Sequence, residues 1–349
     1  MKIQKIKEGK INLYIPKEKL YSQPVFYNPA AELNRDISVC AVQTFQKLSK
    51  RKIDILDALS ASGISGLRYK KEVRGVKSVT LNDKNPSSIK LIKKNIKLNK
   101  LKNCFPSNKD ANLVMRENVF NVIDLDPFGS PSIFLDSAAR SVYHKGFLCV
   151  TATDQSALCG AYPSSCFRKY GIKSIKTDFY NELGVRTLIS YIILSVARYE
   201  KAFVPLLSIS TKHYYRVFGK IEHLGKISPL LSQFHPVKHK NKTSSPIYHG
   251  KIQDKTFCKS VLEEIKKRKF KFQKQEQKLL SLIIQEADLP AFYFDLHKLA
   301  SSKKTSIPKT EIILKKLKKK KFKSSRTHFC PTAIKTNADK EEIIKILAK

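Results

Sequence analysis

The stretch Val119-Phe120-Asn121-Val122-Ile123-Asp124-Leu125-Asp126-Pro127-Phe128-Gly129 carries the strongest fold signal in the sequence. Its apolar start is typical of a buried strand in a parallel sheet. Ligands of open α/β sheets bind at the carboxyl edge, where Asp126, Pro127 and Phe128 would then lie. A carboxylate there can accept hydrogen bonds from an exocyclic amine, proline stiffens the turn, and phenylalanine can stack on a base. Since Asp-Pro is also an ordinary turn, the surrounding sequence has to decide.

Short apolar runs alternate with helical stretches on both sides of this segment. The alternation predicts an α/β fold, a Rossmann-like doubly wound parallel sheet with right-handed crossovers. A long apolar helix over 180–201 precedes two further runs that would complete the sheet. We expect strands at 53–57, 78–83, 104–106, 119–126, 147–153, 206–210 and 214–218.

The composition changes after residue 218. We expect the sheet domain to cover 1–218 and a loop or linker, poor in apolar periodicity, to cover 219–250. A smaller, basic α+β domain would follow over 251–349. Its helices are expected at 260–269, 273–287, 295–299 and from residue 308 to the lysine run at 315–321.

The charge points to a polyanionic partner. The 349 residues contain 67 Lys and Arg against 29 Asp and Glu, a formal net charge of +38. Nucleic acid fits better than a membrane, because no basic amphipathic helix with an aromatic face and no 18-residue apolar run occurs. The seven cysteines include no C-x-x-C pair, so we expect reduced thiols, no disulfide framework and no metal site. We also expect an intracellular protein that acts as a monomer. It would be located in the nucleus if the organism is a eukaryote and otherwise in the cytoplasm.

The loop after the first strand is a candidate nucleotide-binding turn. Small residues between Asp57 and Gly66, including Gly63, would let the backbone approach a ligand closely. Asp83 ends the second strand, where an acid can accept hydrogen bonds from both ribose hydroxyls. Asp110, after the third strand, could meet an adenine amino group. Each acid could instead be a helix N-cap, and for Asp110 that alternative has equal weight. Together these strand ends suggest S-adenosylmethionine, whereas a nicotinamide site and a G-K-[ST] P-loop are both missing.

The chain also closely resembles the tRNA (guanine26-N2)-dimethyltransferase family. The resemblance is carried by Val25-Phe26-Tyr27-Asn28-Pro29, by Asp57-Ala58-Leu59-Ser60-Ala61-Ser62-Gly63-Ile64 and by Asp126-Pro127-Phe128-Gly129-Ser130-Pro131. Further matching segments lie at 32–36, 134–138, 150–154, 158–160, 168–171, 181–186, 295–297, 325–329, 331–332 and 334–336.

This resemblance implies a two-domain tRNA enzyme that transfers one or two methyl groups to the exocyclic N2 of a guanine. It implies that Asp126 and Phe128, joined by Pro127, hold the guanine. Residues implied to contact the cofactor are Arg35, Arg68, Asp83, Asp110 and Ala111, and the loop supplies Asp57 and Gly63.

Two departures from the family bear on this interpretation. Ser65 stands where family members often carry arginine, so one cofactor contact is absent or replaced. The family's cysteine-ligated zinc element has no counterpart over 219–250, which contains no cysteine.

For the tRNA we expect phosphate contacts from the second domain and from the first domain around residue 168. A solvated helix end is the other interpretation of the lysine run. Methylation of a different amine, or a catalytically silent RNA-binding protein, are the alternative functions. The expected RNA-binding residues are Lys318, Lys319, Lys320, Lys321, Arg326, Arg168 and Lys169.

Overall fold

The computed structural model describes residues 2–17, 25–303 and 307–347. The chain begins with an antiparallel hairpin of β1 (Ile3–Glu8) and β2 (Ile11–Pro16). The turn passes through Gly9 at φ +53°, where any added Cβ would meet the side chains of Glu72 and Arg68. Helix α1 (Glu32–Ser49) follows and buries most of its first three turns. The pairing of β1 with β2 was not predicted from the sequence.

The central sheet has seven strands in the order β5-β4-β3-β6-β7-β9-β8. The first five in this order are parallel, while β9 runs antiparallel to both its neighbours. The predicted doubly wound α/β sheet is therefore confirmed, with the last two strands forming an antiparallel edge. The strands are β3 (Ile53–Asp57), β4 (Val76–Asn82), β5 (Cys104–Ser107), β6 (Phe120–Leu125), β7 (Val142–Ala152), β8 (Ala202–Ser210) and β9 (Tyr215–Glu222).

Helices cross over between the parallel strands, as parallel pairing requires. Successive strand residues face opposite sides, so Ile55 and Val122 join one hydrophobic cluster while Leu56 and Ile123 join the other. Both faces of the sheet are thus covered, which explains why its strands read as continuous apolar runs. The helices are α2 (Ile64–Glu72), α3 (Pro86–Leu98), α4 (Ala111–Glu117), α5 (Ser132–Ser141), α6 (Gln155–Leu158), α7 (Pro163–Tyr170) and α8 (Tyr180–Ala197).

The segment 219–250 is folded, contrary to the expected loop. It contains the end of β9, then α9 (Ile227–Leu231), and an antiparallel hairpin of β10 (Phe234–His239) and β11 (Lys242–Tyr248). The backbone N–H of Tyr248 donates to Ser190 Oγ of α8 at 2.8 Å. Only Val237, Ser244, Ile247 and Tyr248 of the two strands are buried, which is too few to show apolar periodicity.

The last third of the chain divides between two cores. Helices α10 (Lys255–Lys266) and α11 (Gln273–Glu286) bury Val261 and Leu280 in the cluster that also holds residues of α1. The sequence had assigned these helices to the second domain. A separate cluster joins α12 (Leu296–Lys303), α13 (Thr310–Lys319) and α14 (Lys340–Leu347). These three helices accompany a small sheet, in the order β12-β14-β13, of β12 (Phe294–Asp295), β13 (Ser324–Arg326) and β14 (Ala333–Thr336).

No helix in the described ranges is long and apolar enough to cross a membrane. All seven cysteines are free thiols.

Candidate active site

The Asp126 turn sits at the carboxyl end of β6, in the middle of the sheet. Gly129 closes the turn at φ +98°, a conformation that glycine adopts readily. Its N–H donates to Thr153 Oγ1 at 2.7 Å, and its carbonyl accepts from Thr153 N at 2.9 Å. Thr153 directly follows β7, so the neighbouring strand holds the turn in place.

A buried polar network lies behind Asp126. Arg216 is 1% exposed, and its Nη1 is 2.8 Å from Asp124 Oδ1 and 2.7 Å from Thr151 Oγ1. Tyr69 donates to the other Asp124 oxygen at 2.5 Å. Burial raises the pKa of Asp126, while the Arg216 guanidinium and a hydrogen bond from Thr151 oppose that rise. The sequence analysis missed Arg216, although an arginine within an apolar strand is itself a signal of a buried polar role.

Two phenylalanines flank the turn. Phe128 is 78% exposed, and its ring lies edge-on to Phe26 with centroids 6.0 Å apart. The Phe128 ring and the 38% exposed Phe26 beside a carboxylate form a surface on which a planar base can stack. Phe26 lies within a segment quoted for the family resemblance, but nothing in its sequence context assigned it to the site.

The loop after β3 meets the end of β4 through Asp83. Asp83 Oδ2 accepts from Ala61 N at 2.8 Å, and Oδ1 accepts from Asn85 N at 2.8 Å. Each oxygen retains accepting capacity, and the side chain is only partly covered. Asn85 caps α3 by accepting from Ser87 N, so Asp83 itself is not the helix cap. Gly63 is the N-cap residue of α2. Its φ of +82° is a backbone conformation that glycine adopts readily.

Asp57 is buried beneath this loop. Its Oδ2 accepts from Gly66 N at 2.8 Å, which fixes the start of α2 against the strand. Burial, reinforced by the charge of Asp124, raises the pKa of Asp57 to about 8. The buried Asn82 amide donates to Ala58 O and to Lys109 O, each at 3.1 Å, and so joins the loops after β3 and β5.

The next two expected contacts sit at the start of α4. Asp110 is exposed and caps that helix, with Oδ1 accepting from Asn112 N at 2.8 Å. Ala111 is buried beside it. The helix-capping interpretation of Asp110 is thus confirmed, and its second carboxyl oxygen remains able to accept a hydrogen bond.

Arg35 and Arg68 lie in an ion cluster between the first hairpin, α1 and α2. Glu8 accepts from Arg35 Nε and Nη2 at 2.7 Å each and from Arg68 Nη1 at 3.0 Å. Arg68 is fully buried, and its remaining nitrogens face Glu72 and Asp36 at 2.7 and 2.6 Å. Burial alone would raise the pKa of Glu8, but the two guanidiniums outweigh it and hold that pKa below its ordinary value. The cofactor role of these arginines stays a prediction from the resemblance alone.

The expected RNA-binding cations are spread over two surfaces. On α7, Arg168 is exposed and Lys169 pairs with Asp154 at 3.0 Å. The four lysines at 318–321 are exposed at the end of α13, where Lys320 pairs with Glu342. Arg326 pairs with Glu311 at 2.5 Å.

Across residues 2–17, 25–303 and 307–347, no group of three or more metal-ligating side chains occurs. His249 and His235 approach each other with ring centroids 5.5 Å apart, and burial lowers the pKa of His249 to about 4.

The chain matches the sequence profile of the N2,N2-dimethylguanosine tRNA methyltransferase family over residues 4–228 and 222–348. A tRNA (guanine(26)-N(2))-dimethyltransferase from Methanobrevibacter smithii is 37% identical over 377 residues, covering 99% of this chain and 97% of that protein. A protein of the same name from Methanococcus maripaludis strain C6 is 39% identical over 369 residues, covering 99% and 98%. The structure of Trm1 from Pyrococcus horikoshii with S-adenosyl-L-methionine superimposes with a TM-score of 0.91 at 33% identity, covering 99% of this chain and 100% of that one.

Proposed function

Because the chain belongs to the N2,N2-dimethylguanosine tRNA methyltransferase family, we propose that it methylates the exocyclic N2 of guanine 26 in tRNA. The methyl donor is S-adenosylmethionine, and one or two methyl groups are transferred. The observation that carries this function is the Asp126 turn, in which a carboxylate and the exposed ring of Phe128 stand together at the carboxyl edge of the sheet.

The residues at this edge fit S-adenosylmethionine. Asp83 is anchored by two backbone N–H groups yet keeps a free lone pair on each oxygen, as two ribose hydroxyls require. Ser62 Oγ in the loop is buried without a hydrogen-bond partner among the described residues. Gly63 and Gly66 allow the loop to pack closely against Leu81. A Cβ added at Gly63 would lie 3.3 Å from the Leu81 side chain, and one added at Gly66 would lie 2.9 Å from it. We assign the adenosyl half to Asp83, Asp110 and Ala111, with Asp57 and Gly63 shaping the loop.

Asp126 acts on the amine that receives the methyl group. The N2 lone pair of guanine is delocalised into the ring, which makes N2 a weak nucleophile. A hydrogen bond from N2–H to the Asp126 carboxylate favours the pyramidal nitrogen that frees the lone pair. The bound sulfonium supplies an electrophilic methyl group, so holding the amine in line with it provides much of the acceleration.

Phe128 and Phe26 hold the target base. A guanine within folded tRNA has to leave its stack to reach a site at the edge of a sheet. Aromatic stacking on the protein compensates part of the lost base stacking. Pro127 is buried between Asp126 and Phe128 and fixes their relative positions.

The tRNA backbone is bound by cations outside the sheet. We assign phosphate contacts to Lys318, Lys319, Lys320 and Lys321, with Arg326, and to Arg168 and Lys169 beside the site. Lys320 pairs with the partly buried Glu342 and Arg326 with the exposed Glu311, and pairs at the surface are weak enough to exchange for a phosphate.

We further propose that the protein works as a monomer and needs no metal. The same-named relatives are archaeal proteins, which supports a cytoplasmic location.

The function is tested by mass spectrometry of nucleosides from tRNA incubated with the purified protein and S-adenosylmethionine. N2-methylated guanosine should form on a transcript with guanine at position 26 and not on a matched transcript with adenine there. Binding of tRNA without methyl incorporation would instead favour the silent RNA-binding alternative.

A further inference from the structure

A basic cleft at the tip of the β10–β11 hairpin is separate from the site described above. We call it the hairpin cleft and define it by residues 176–178, residues 239–242 and Lys298, which line a cavity of about 320 Å³. Lys176, Lys240, Lys242 and Lys298 are exposed around it. Asp178 is its one acidic lining residue among the described part of the chain, and Lys298 and His239 already face it at 3.2 and 3.5 Å.

The cleft also contains an unused polar group. Thr177 is 4% exposed, and its Oγ1 has no hydrogen-bond partner within the described ranges. A buried hydroxyl without a partner is costly unless something else satisfies it. Hydroxyl and ammonium groups together are the donors that phosphate oxygens accept from.

The hairpin tip is held rigidly. Lys173 N donates to Ser245 Oγ at 2.9 Å and Ser245 N donates to Lys173 O at 2.9 Å, so β11 is fastened to the segment before the cleft. The ring of His239 lies edge-on to Phe179 at 5.8 Å. Lys240 and Lys242 therefore extend from a backbone that is fastened to the rest of the domain, and ordering that backbone costs no further entropy on binding.

The cleft lies near the carboxyl edge of the sheet, the edge at which Asp126 also lies. Strand β7 ends at this carboxyl edge, and α8 has to return to the opposite edge before β8 begins. The start of α8 at Tyr180 is therefore near the carboxyl edge, and residues 176–178 directly precede it. Helix α7 lies between the Asp126 turn and these residues in the sequence, and its Tyr170 accepts a hydrogen bond from Ser130 of the turn at 2.7 Å.

We propose that the hairpin cleft binds a backbone phosphate of the tRNA whose guanine occupies the Asp126 site. The inference rests on the proposed function and adds a second contact that orients the substrate. It differs from the lysine run at 318–321, where Lys318 also lines a cavity but no buried unpartnered hydroxyl occurs among the described residues.

The test compares two double variants in tRNA binding across a range of salt concentrations. Lys176→Gln with Lys242→Gln removes two cleft cations, while Lys52→Gln with Lys102→Gln removes two exposed lysines that precede strands at the opposite edge. The log–log salt slope should fall by up to about 1.8 in the cleft variant if each lysine neutralises one duplex phosphate. The control variant should change it much less.

Turnover separates this inference from the proposed function. The cleft variant should raise the KM for tRNA several-fold while kcat at saturating tRNA and the affinity for S-adenosylmethionine stay unchanged. Thr177→Val should weaken tRNA binding and Thr177→Ser should not, with melting curves confirming that both fold. Equal tRNA affinity and salt slope in the cleft and control variants would overturn the inference even if the wild type methylates tRNA. Calorimetry with inorganic phosphate gives a second check. If phosphate binds the wild type but the cleft variant keeps its full affinity for tRNA, the inference is overturned as well.

Discussion

Aspartate and arginine side chains meet in two neighbouring regions, the carboxyl edge of the sheet and the ion cluster around Arg68. At the edge, Asp83 and Asp126 are partly exposed, and each keeps accepting capacity toward solvent. In the ion cluster, Arg68 is fully buried and its nitrogens face three carboxylates. Carboxylates at the edge can therefore still accept hydrogen bonds from a ligand, whereas those in the cluster are already paired with arginines of the protein.

The cluster also shows how a buried set of charges is balanced. Glu8, Asp36, Glu72 and Glu276 are the acids, and Arg35, Arg68 and Arg268 are the bases. The carboxyls of Asp36 and Glu276 hydrogen-bond to each other, which requires that one of the two carries a proton. Burial and a hydrogen bond with Asp36 raise the pKa of Glu276 to about 9, which identifies it as that acid.

The largest effect is expected from Arg68→Met. Removing one partner of a buried ion network leaves Glu8, Asp36 and Glu72 short of a cation, which should cost about 3–5 kcal/mol of unfolding free energy. Denaturant melts measure this, and Lys71→Met on the exposed side of the same helix should change stability by less than about 0.5 kcal/mol. A stable Arg68→Met protein that fails to bind S-adenosylmethionine would instead place Arg68 in the cofactor site.

Asp126→Ala addresses the other region and should leave stability nearly intact. Turnover should fall by about 100-fold or more, the scale seen when a positioned polar group is removed, because N2–H loses its acceptor. S-adenosylmethionine affinity by calorimetry should be unchanged. Asp126→Asn, which keeps one acceptor oxygen, should retain more activity than Asp126→Ala, and near-normal turnover in the alanine variant would remove Asp126 from the mechanism.

Asp83→Ala should weaken S-adenosylmethionine binding by about 2 kcal/mol, because the variant loses the charge-assisted hydrogen bonds that the two ribose hydroxyls would donate to the carboxylate. The variant also frees Ala61 N and Asn85 N, so a melting curve has to accompany the calorimetry. Asp254→Ala is the matched comparison, because Asp254 caps α10 by a similar backbone contact and is not assigned to the cofactor site. Unchanged affinity in a folded Asp83→Ala protein would leave Asp83 with only its loop-holding role.

Glu276→Gln tests the proton held in the ion cluster. The pKa of Glu276 is about 9 in the folded protein, above its ordinary 4.5, so the native state keeps a proton that the unfolded chain releases. This contribution to stability is fully present below pH 4.5 and is lost as the pH rises toward 9. As the pH rises, the unfolding free energy of the wild type should fall relative to that of the glutamine variant. Thermal melts near pH 8 should show a relative change of roughly 1 kcal/mol or more, about the value of one pKa unit. A stability difference that stays constant between pH 5 and pH 8 would show that Glu276 is ionised in the fold.

Much of the sheet could be predicted from the sequence, because strands buried on both faces are local apolar runs bounded by turns. The Asp126 and Asp83 strand ends follow from the same local pattern. The hairpin over 234–248 could not, since few of its residues are buried and most of the others are polar or proline. Helices α10 and α11 were expected from their periodicity, but their packing beside α1 was not.

The sequence by itself determined the α/β order of elements, the acidic strand ends and the basic character of the chain. Only the tertiary structure decided which partner each charged side chain has. Glu8 and Arg68 are 60 residues apart, and Arg216 and Asp124 lie on different strands with β7 between them. Periodicity reports which face of an element is buried, a property of neighbouring residues, whereas a buried charge is satisfied by whichever group the fold brings within about 3 Å.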